Sequence, residues 1–272
     1  MRIKLDGQEY ESDYATPQIT PEIDEILFEK ERQGSPVLVL ISTHADNNHS
    51  RYYKWSFNEI WESPAPLYAQ ADFDANGEPY RFDEINGPHN YKYYCWRYNN
   101  SRSLILGSSD KLSENVIRKK KILSLNPEDS RFSTLYYIKV RQNMISKAAY
   151  DYYSNLQKNI EQTGSIFGPI PSEMKGNIRC ITDSEIPVIG YVEVSRTVSR
   201  EEYVAAPNEL DEATPKICRT YTQQEVDDPE GVGIEPYTIF SVEQNIFTGK
   251  SEIIYAPLRC VDCRYNGGSK NR

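Results

Sequence analysis

Cys260-Val-Asp-Cys263 is the stretch whose residue types and spacing come nearest to chemistry. Two cysteines two residues apart can form a redox pair, half of a zinc site, or structural crosslinks. A redox pair belongs at a helix N-terminus after a strand. This pair sits in a polar tail, and the Gly267-Gly268 behind it is a poor helix start. Zinc needs four ligands, yet there is no second such pair, and His44, His49 and His89 are far upstream. Structural crosslinking is therefore favoured, with Cys218 joined to Cys260 or Cys263, so that an otherwise loosely held segment is pinned. The five cysteines, which also include Cys95 and Cys180, leave at least one unpaired within a monomer.

Three other clusters invite a chemical interpretation, and each has a plainer one. His44 and His49 bracket Asp46, but the spacing fits no usual metal site and a solvated polar turn is expected. Asp72, Asp74, Asn76 and Glu78 look like a calcium loop, with Gly77 in the sixth position. The twelfth position is Asp83 rather than Glu and no helices flank it, so a turn is expected. Glu59 and Glu62 fall on opposite faces of one strand and are poor partners for acid–base work. There is no serine elbow, phosphate loop or dinucleotide fingerprint. No catalytic residue, cofactor or metal site is assigned.

The elements that would position these residues are mostly strands. From Arg51 to Glu62, Tyr53, Trp55, Phe57 and Trp61 alternate with polar residues, which predicts a strand with one buried aromatic face. Trp55, Phe57 and Trp61 are its expected structural core. A buried Trp in mid-strand is also a feature of immunoglobulin-like sandwiches. The expected fold is therefore mainly β: an immunoglobulin- or fibronectin-III-like sandwich with a helical insertion and an irregular, cysteine-bearing C-terminal segment. Asp6-Gly7 marks a hairpin over residues 3–11, and further strands are expected at 23–30, 37–43, 91–98 and 103–107. Residues 117–125 and 133–144 are expected to pair through the Asn126–Asp129 turn, and 187–194 to pair with 200–205.

At Ser146 the period changes. Ala149, Tyr153, Leu156 and Ile160 follow at helical spacing, with Ser146 as N-cap and Gly164 as C-cap, predicting a helix over 146–163. The domain boundaries that follow are 1–16, a remnant hairpin of a preceding β-domain; 17–206, the sandwich with its insertion at 146–175; and 207–272, an extension packed on it.

Charge and composition exclude some function classes. The net charge is −9 and the only basic run is Arg118-Lys-Lys-Lys121 beside a strand, so no phosphate-binding surface is expected. No apolar run is long enough to cross a bilayer as a helix. The 21 tyrosines against 8 phenylalanines suit strands with half-wet faces. The chain opens inside an alternating strand, which is expected of the remainder of a longer, exported precursor.

Several stretches in this order carry a resemblance. They are Arg51-Tyr-Tyr-Lys-Trp-Ser-Phe-Asn-Glu-Ile-Trp61, Cys95-Trp96 leading to Ile105-Leu-Gly-Ser-Ser109, Tyr150-Asp-Tyr-Tyr153, and Gly164-Ser-Ile-Phe-Gly-Pro-Ile-Pro-Ser172. With them come Gly176-Asn-Ile178, Pro187-Val-Ile-Gly-Tyr191, and Cys260-Val-Asp-Cys-Arg264 before Gly267-Gly268. The chain resembles the domain-of-unknown-function 4249 family, exported proteins of Bacteroidota. The resemblance implies a lipoprotein, often encoded beside a TonB-dependent outer-membrane transporter. Family members usually carry a signal peptide, a lipidated Cys and an N-terminal β-domain, none of which is in this sequence, and often a Pro-Asp-Phe-Trp tail, so a fragment is expected. The family offers no established catalytic residues to carry over.

The expected function is that of a non-catalytic cell-envelope accessory protein, binding an outer-membrane transporter or its cargo. An envelope structural or assembly protein is the alternative, and a secreted hydrolase a more distant one. The expected location is the outer membrane, on the cell surface or the periplasmic face. Expected partners are the transporter or another envelope protein, not nucleic acid, with membrane contact only through a lipid anchor absent from this sequence.

Overall fold

The computed structural model describes residues 1–46, 49–82, 90–163, 176–205, 209–211, 217–228, 236–244 and 249–270. In chain order the strands are β1 (Arg2–Leu5), β2 (Gln8–Ser12), β3 (Ile23–Glu29), β4 (Val37–His44), β5 (Tyr52–Pro64), β6 (Ala71–Phe73), β7 (Pro79–Arg81), β8 (Tyr94–Asn100), β9 (Ile105–Ser108) and β10 (Val116–Leu125). β11 (Leu135–Ile145) and helix α1 (Lys147–Thr163) follow, then β12 (Ile178–Cys180), β13 (Thr197–Ala205) and β14 (Tyr221–Thr222). The short helix α2 (Gln223–Val226), β15 (Tyr237–Gln244), β16 (Ser251–Pro257) and helix α3 (Leu258–Val261) complete the order. The fold is mainly β, built from several antiparallel sheets.

Contacts group the chain into two compact units that interleave in sequence. One comprises Met1–Asn58, Asn100–Leu125 and Ile138–Glu202; the other comprises Glu59–Asn99, Asn126–Tyr137 and Tyr203–Arg272. β5, β8, β11 and β13 contribute residues to both. These strands neighbour one another in the order β13-β11-β5-β8, and β9 also pairs with β5.

In the first unit, the alternation of β5 puts Tyr53, Trp55 and Phe57 inside, at 5% exposure or less. Trp55 Nε1 donates to Gln142 Oε1 of β11 at 2.7 Å, and Gln142 Nε2 donates to Thr43 Oγ1 of β4 at 3.0 Å. β4 is the middle strand of a separate sheet, β10-β4-β3, so this relay links the inner faces of two sheets. The Trp55 ring also fixes a glycine opposite it. A Cβ on Gly107 of β9 would lie 2.7 Å from the indole. The hairpin β1-β2 turns at Asp6-Gly7, both at positive φ, and β12 completes its sheet.

α1 begins as its N-cap predicts, with Ser146 Oγ accepting from the Ala149 N–H at 3.1 Å. Ala149 is fully buried among Leu106, Ile145, Tyr52 and Tyr153. Asp151, Asn155, Lys158 and Glu161 face solvent. The helix lies in sequence between β11 and β13, neighbours in one sheet. The expected C-cap at Gly164 and the Gly168–Pro171 stretch lie outside the described residues.

Three expectations are corrected. β10 and β11 do not pair: β10 lies beside β4, and β11 lies between β13 and β5. The Asn126–Asp129 turn is followed by a 3₁₀ turn at Ser130–Phe132, which carries the chain away from a tight hairpin. Residues 187–194 form no strand, and β13 takes β11 as its partner instead. The described part of the C-terminal segment is not irregular throughout. β15 and β16 pair over Tyr237–Gln244 and Ser251–Pro257, with a register shift at Ile239/Ser241, and β14 adds to β16. Weak alternation suffices there because the hairpin satisfies its own backbone, and Ala256 and Val261 pack with Ala69, Leu67, Phe82 and Phe240.

Candidate functional site

The Cys-Val-Asp-Cys stretch is a junction of two crosslinks. Cys260 of α3 is bonded to Cys218, with Cα atoms 6.0 Å apart. Cys263 is bonded to Cys95 of β8, with Cα atoms 5.6 Å apart across 168 residues of sequence. Cys180 is free and buried. All four residues of the stretch are buried, at 3% exposure or less, so the expectation of a polar tail fails at this point. The residues after it fit the crosslink. Gly267 is in the left-handed region at φ 81°, and a Cβ on Gly268 would lie 2.3 Å from Cys95 Cβ. Beyond that turn, Ser269 exchanges two backbone hydrogen bonds with Trp96.

Asp262 sits between the bonded cysteines and accepts from Arg264 Nε at 2.9 Å and from the Arg264 backbone N–H at 3.0 Å. Burial opposes its charge, but the Arg264 guanidinium and N–H outweigh burial and hold its carboxyl below the usual value. The calcium-like loop has divided duties. Asp72 is paired with Lys92 at 2.6 Å and accepts from the Tyr91 hydroxyl at 2.9 Å. Asp74 Oδ1 caps its own turn by accepting from the N–H groups of Asn76 and Glu78, each at 2.8 Å. His44 bonds Asp24 at 2.9 Å rather than Asp46 or His49. Among the described residues no three His, Cys, Asp or Glu side chains converge on a metal position.

One charged cluster was missed from sequence. Glu59 shares the parity of Phe57 and Trp61 on β5, so its carboxylate points to the buried side, and its side chain is wholly buried. Oε1 accepts from Asn99 Nδ2 at 2.7 Å. Oε2 accepts from Arg131 Nη1 at 2.9 Å and from the Tyr136 hydroxyl at 2.6 Å. The Arg131 guanidinium also lies 4.7 Å from the Trp61 ring centre. Burial, then the Glu59 charge, pushes the Tyr136 hydroxyl well above its ordinary value. A carboxylate with both oxygens occupied and no exposed surface cannot reach a substrate. Its task is to hold the sheet.

The outer face of the same sheet is different. Ile60, Trp96, Leu135, Tyr137 and Tyr203 line a hollow of about 160 Å³. They come from β5, β8, β11 and β13, four neighbouring strands. The Tyr137 and Tyr203 rings lie 4.8 Å apart, and Tyr203 is 56% exposed. On β8, Tyr94 and Tyr98 share the parity of Trp96 and are exposed at 50% and 48%. This row offers exposed aromatic rings and phenol groups.

Comparison with known families matches residues 1–201 to the Domain of unknown function (DUF4249). The chain belongs to this family. No curated protein and no solved structure matches it. Within the DUF4249 match lie Glu59, Arg131 and Tyr136, together with Ile60, Trp96, Leu135 and Tyr137 of the aromatic face. Tyr203, Cys218 and the Cys260–Cys263 stretch follow it in sequence. Among the described residues no helix of this DUF4249 protein is long and apolar enough to cross a membrane, which says nothing of β-barrels.

Proposed function

We propose that this protein is a non-catalytic accessory protein of the cell envelope, held at the outer membrane, that binds a TonB-dependent transporter or its cargo. The observation that carries the proposal is the aromatic row across β13, β11, β5 and β8. Tyr and Trp are enriched at protein interfaces because they bring large apolar area with little rotamer entropy. The two disulfides support export, since such bonds persist in oxidising compartments. We also interpret the two sheets linked by Trp55 and Gln142 as an immunoglobulin- or fibronectin-III-like sandwich. Its support is a buried strand Trp between antiparallel sheets.

Affinity capture from outer-membrane extracts, followed by mass spectrometry, tests the binding role. The wild-type chain should retain a TonB-dependent transporter. The double variant Tyr94→Ala/Tyr203→Ala, altered at exposed positions, should lose it. Equal retention by both proteins would remove the aromatic row from the proposal. Retention of envelope structural proteins instead would favour an assembly role.

A further inference from the structure

The aromatic hollow of the outer face belongs to the unit that holds the whole net charge of the chain. That second unit carries 20 Asp and Glu against 11 Lys and Arg, which leaves −9, while the first unit carries 20 of each and is neutral. We propose that the hollow seats the guanidinium of an arginine on a basic segment of a partner protein. This seat rests on the binding role proposed above for the aromatic row and adds to it the chemistry of the partner.

Size and lining point to a single side chain. At about 160 Å³ the hollow is smaller than small-molecule pockets, which run roughly 300–1,000 Å³. Its walls, Ile60, Trp96, Leu135, Tyr137 and Tyr203, carry no charge, and three of the five are aromatic. The face of such a ring is negative and attracts a cation. Guanidinium suits it better than ammonium, because it is planar and more weakly hydrated. The Tyr137 and Tyr203 rings lie 4.8 Å apart with 47° between their planes, and Tyr203 is 56% exposed, so its ring is open to an incoming group.

The same unit shows what surroundings its own arginines take. Arg131 lies over Trp61 and donates to Glu59. Arg219 lies over Tyr221 and donates to Glu225. Arg264 lies over Tyr91 and donates to Asp262. Each guanidinium thus combines a ring with a carboxylate. Both kinds of group are present on the outer face. Glu62 is the next outward position after Ile60 on β5. Asp211 accepts at 3.0 Å from the hydroxyl of Ser133, two residues before Leu135. The acidic excess of the unit adds long-range attraction for a basic segment and repels an acidic one.

The test is a fluorescence titration of the full chain. Trp55 and Trp61 are buried and Trp96 is half-buried, so Trp96 is the tryptophan that reports on the hollow. The probes are a short Gly-Ser peptide bearing arginines and its counterpart bearing citrulline, which keeps the shape and removes the charge. The arginine peptide should shift the emission saturably, and the citrulline peptide should bind about tenfold more weakly or less. Tyr203→Leu, which keeps an apolar group at an exposed position but removes the ring, should weaken the arginine peptide by about threefold to fivefold. Tyr203→Phe, which keeps the ring, should bind as the wild type does. Equal affinity for the two peptides would overturn the proposal, as would an unchanged affinity in Tyr203→Leu or the absence of saturation with either probe. Transporter capture separates this seat from the role beneath it. A chain that retains the transporter without preferring arginine loses the arginine seat alone. A chain that prefers arginine through Tyr203 but retains no transporter keeps the seat and loses the transporter as partner.

Discussion

Glu59 shows how a single position can be misjudged from sequence. Set against Glu62, it reads as half of a failed acid–base pair. Its own strand places it beside Phe57 and Trp61, on the face that an aromatic pattern marks as buried. An acid on such a face demands partners, and Asn99, Arg131 and Tyr136 supply them from three other stretches. Removing one member of a buried ion pair leaves the other uncompensated, so Glu59→Ala should cost about 3–5 kcal/mol in urea unfolding. An effect below about 1 kcal/mol, the size of a surface pair, would contradict the burial described here. His44 is the contrasting case. A hydrogen bond from the His44 ring to the Asp24 carboxylate, then the Asp24 charge, raises the His44 pKa above 6.5 although the pair is exposed. The protonated ring is thus favoured by folding. Its contribution is fully present below the unfolded pKa and is lost as pH rises through the folded value. An NMR titration should place the His44 midpoint above 6.5, and Asp24→Asn should bring it back towards that value. Solvent screening keeps the effect on stability small.

At the scale of elements, the strands were legible because alternation is local, and their partners were not. β5 is visible in the alternation of 51–62 and β4 in the apolar run of 37–43, which the structure places at Tyr52–Pro64, buried on one face, and Val37–His44, buried on both. Nothing within 117–125 and 133–144 announces that they enter different sheets. That choice depends on β4, some eighty residues upstream, offering Leu40 and Val39 to Lys121 and Leu123. The aromatic row was hidden for the same reason. Ile60, Trp96, Tyr137 and Tyr203 are ordinary strand residues until the order β13-β11-β5-β8 lines them up. The start of α1 was legible because its signals are local too: a capping Ser and the beginning of a stripe at helical spacing, with Ala149 buried. The cap hydrogen bond from Ala149 N–H to Ser146 Oγ makes Ser146→Ala a clean test. It should lower stability by about 1 kcal/mol. Ser146→Asp, which keeps an acceptor at the cap, should restore most of the loss. Failure of both variants alike would show that Ser146 is needed for something other than capping.

At the scale of the whole molecule, the cysteines do what distant alternation cannot. Four of the five are joined, and the two bonds leave from either end of one four-residue stretch. The pairing of Cys218 with Cys260 was one of two possibilities open from sequence. The partner of Cys263 was not legible, because Cys95 lies 168 residues away on a strand whose neighbours had to be known first. Closing loops of these lengths restricts the unfolded chain strongly, by about 4–5 kcal/mol per bond in the chain-entropy account. The cost of losing either bond should therefore appear in unfolding and much less in the folded shape. Thiol counting on protein recovered from an oxidising compartment is the direct measurement. Denatured without reductant, the chain should titrate one thiol, that of Cys180, and five after reduction. Cys95→Ser should raise the unreduced count to two by freeing Cys263, and Cys218→Ser should do the same by freeing Cys260. Five thiols before reduction would remove both crosslinks. A count of one that persists in Cys95→Ser/Cys263→Ser would keep Cys218–Cys260 and isolate it as the remaining bond. Because a Cβ on Gly268 would lie 2.9 Å from Cys95 Sγ, its substitution by Ala should selectively disturb the Cys95–Cys263 bond, so that under graded reduction these two cysteines are alkylated first.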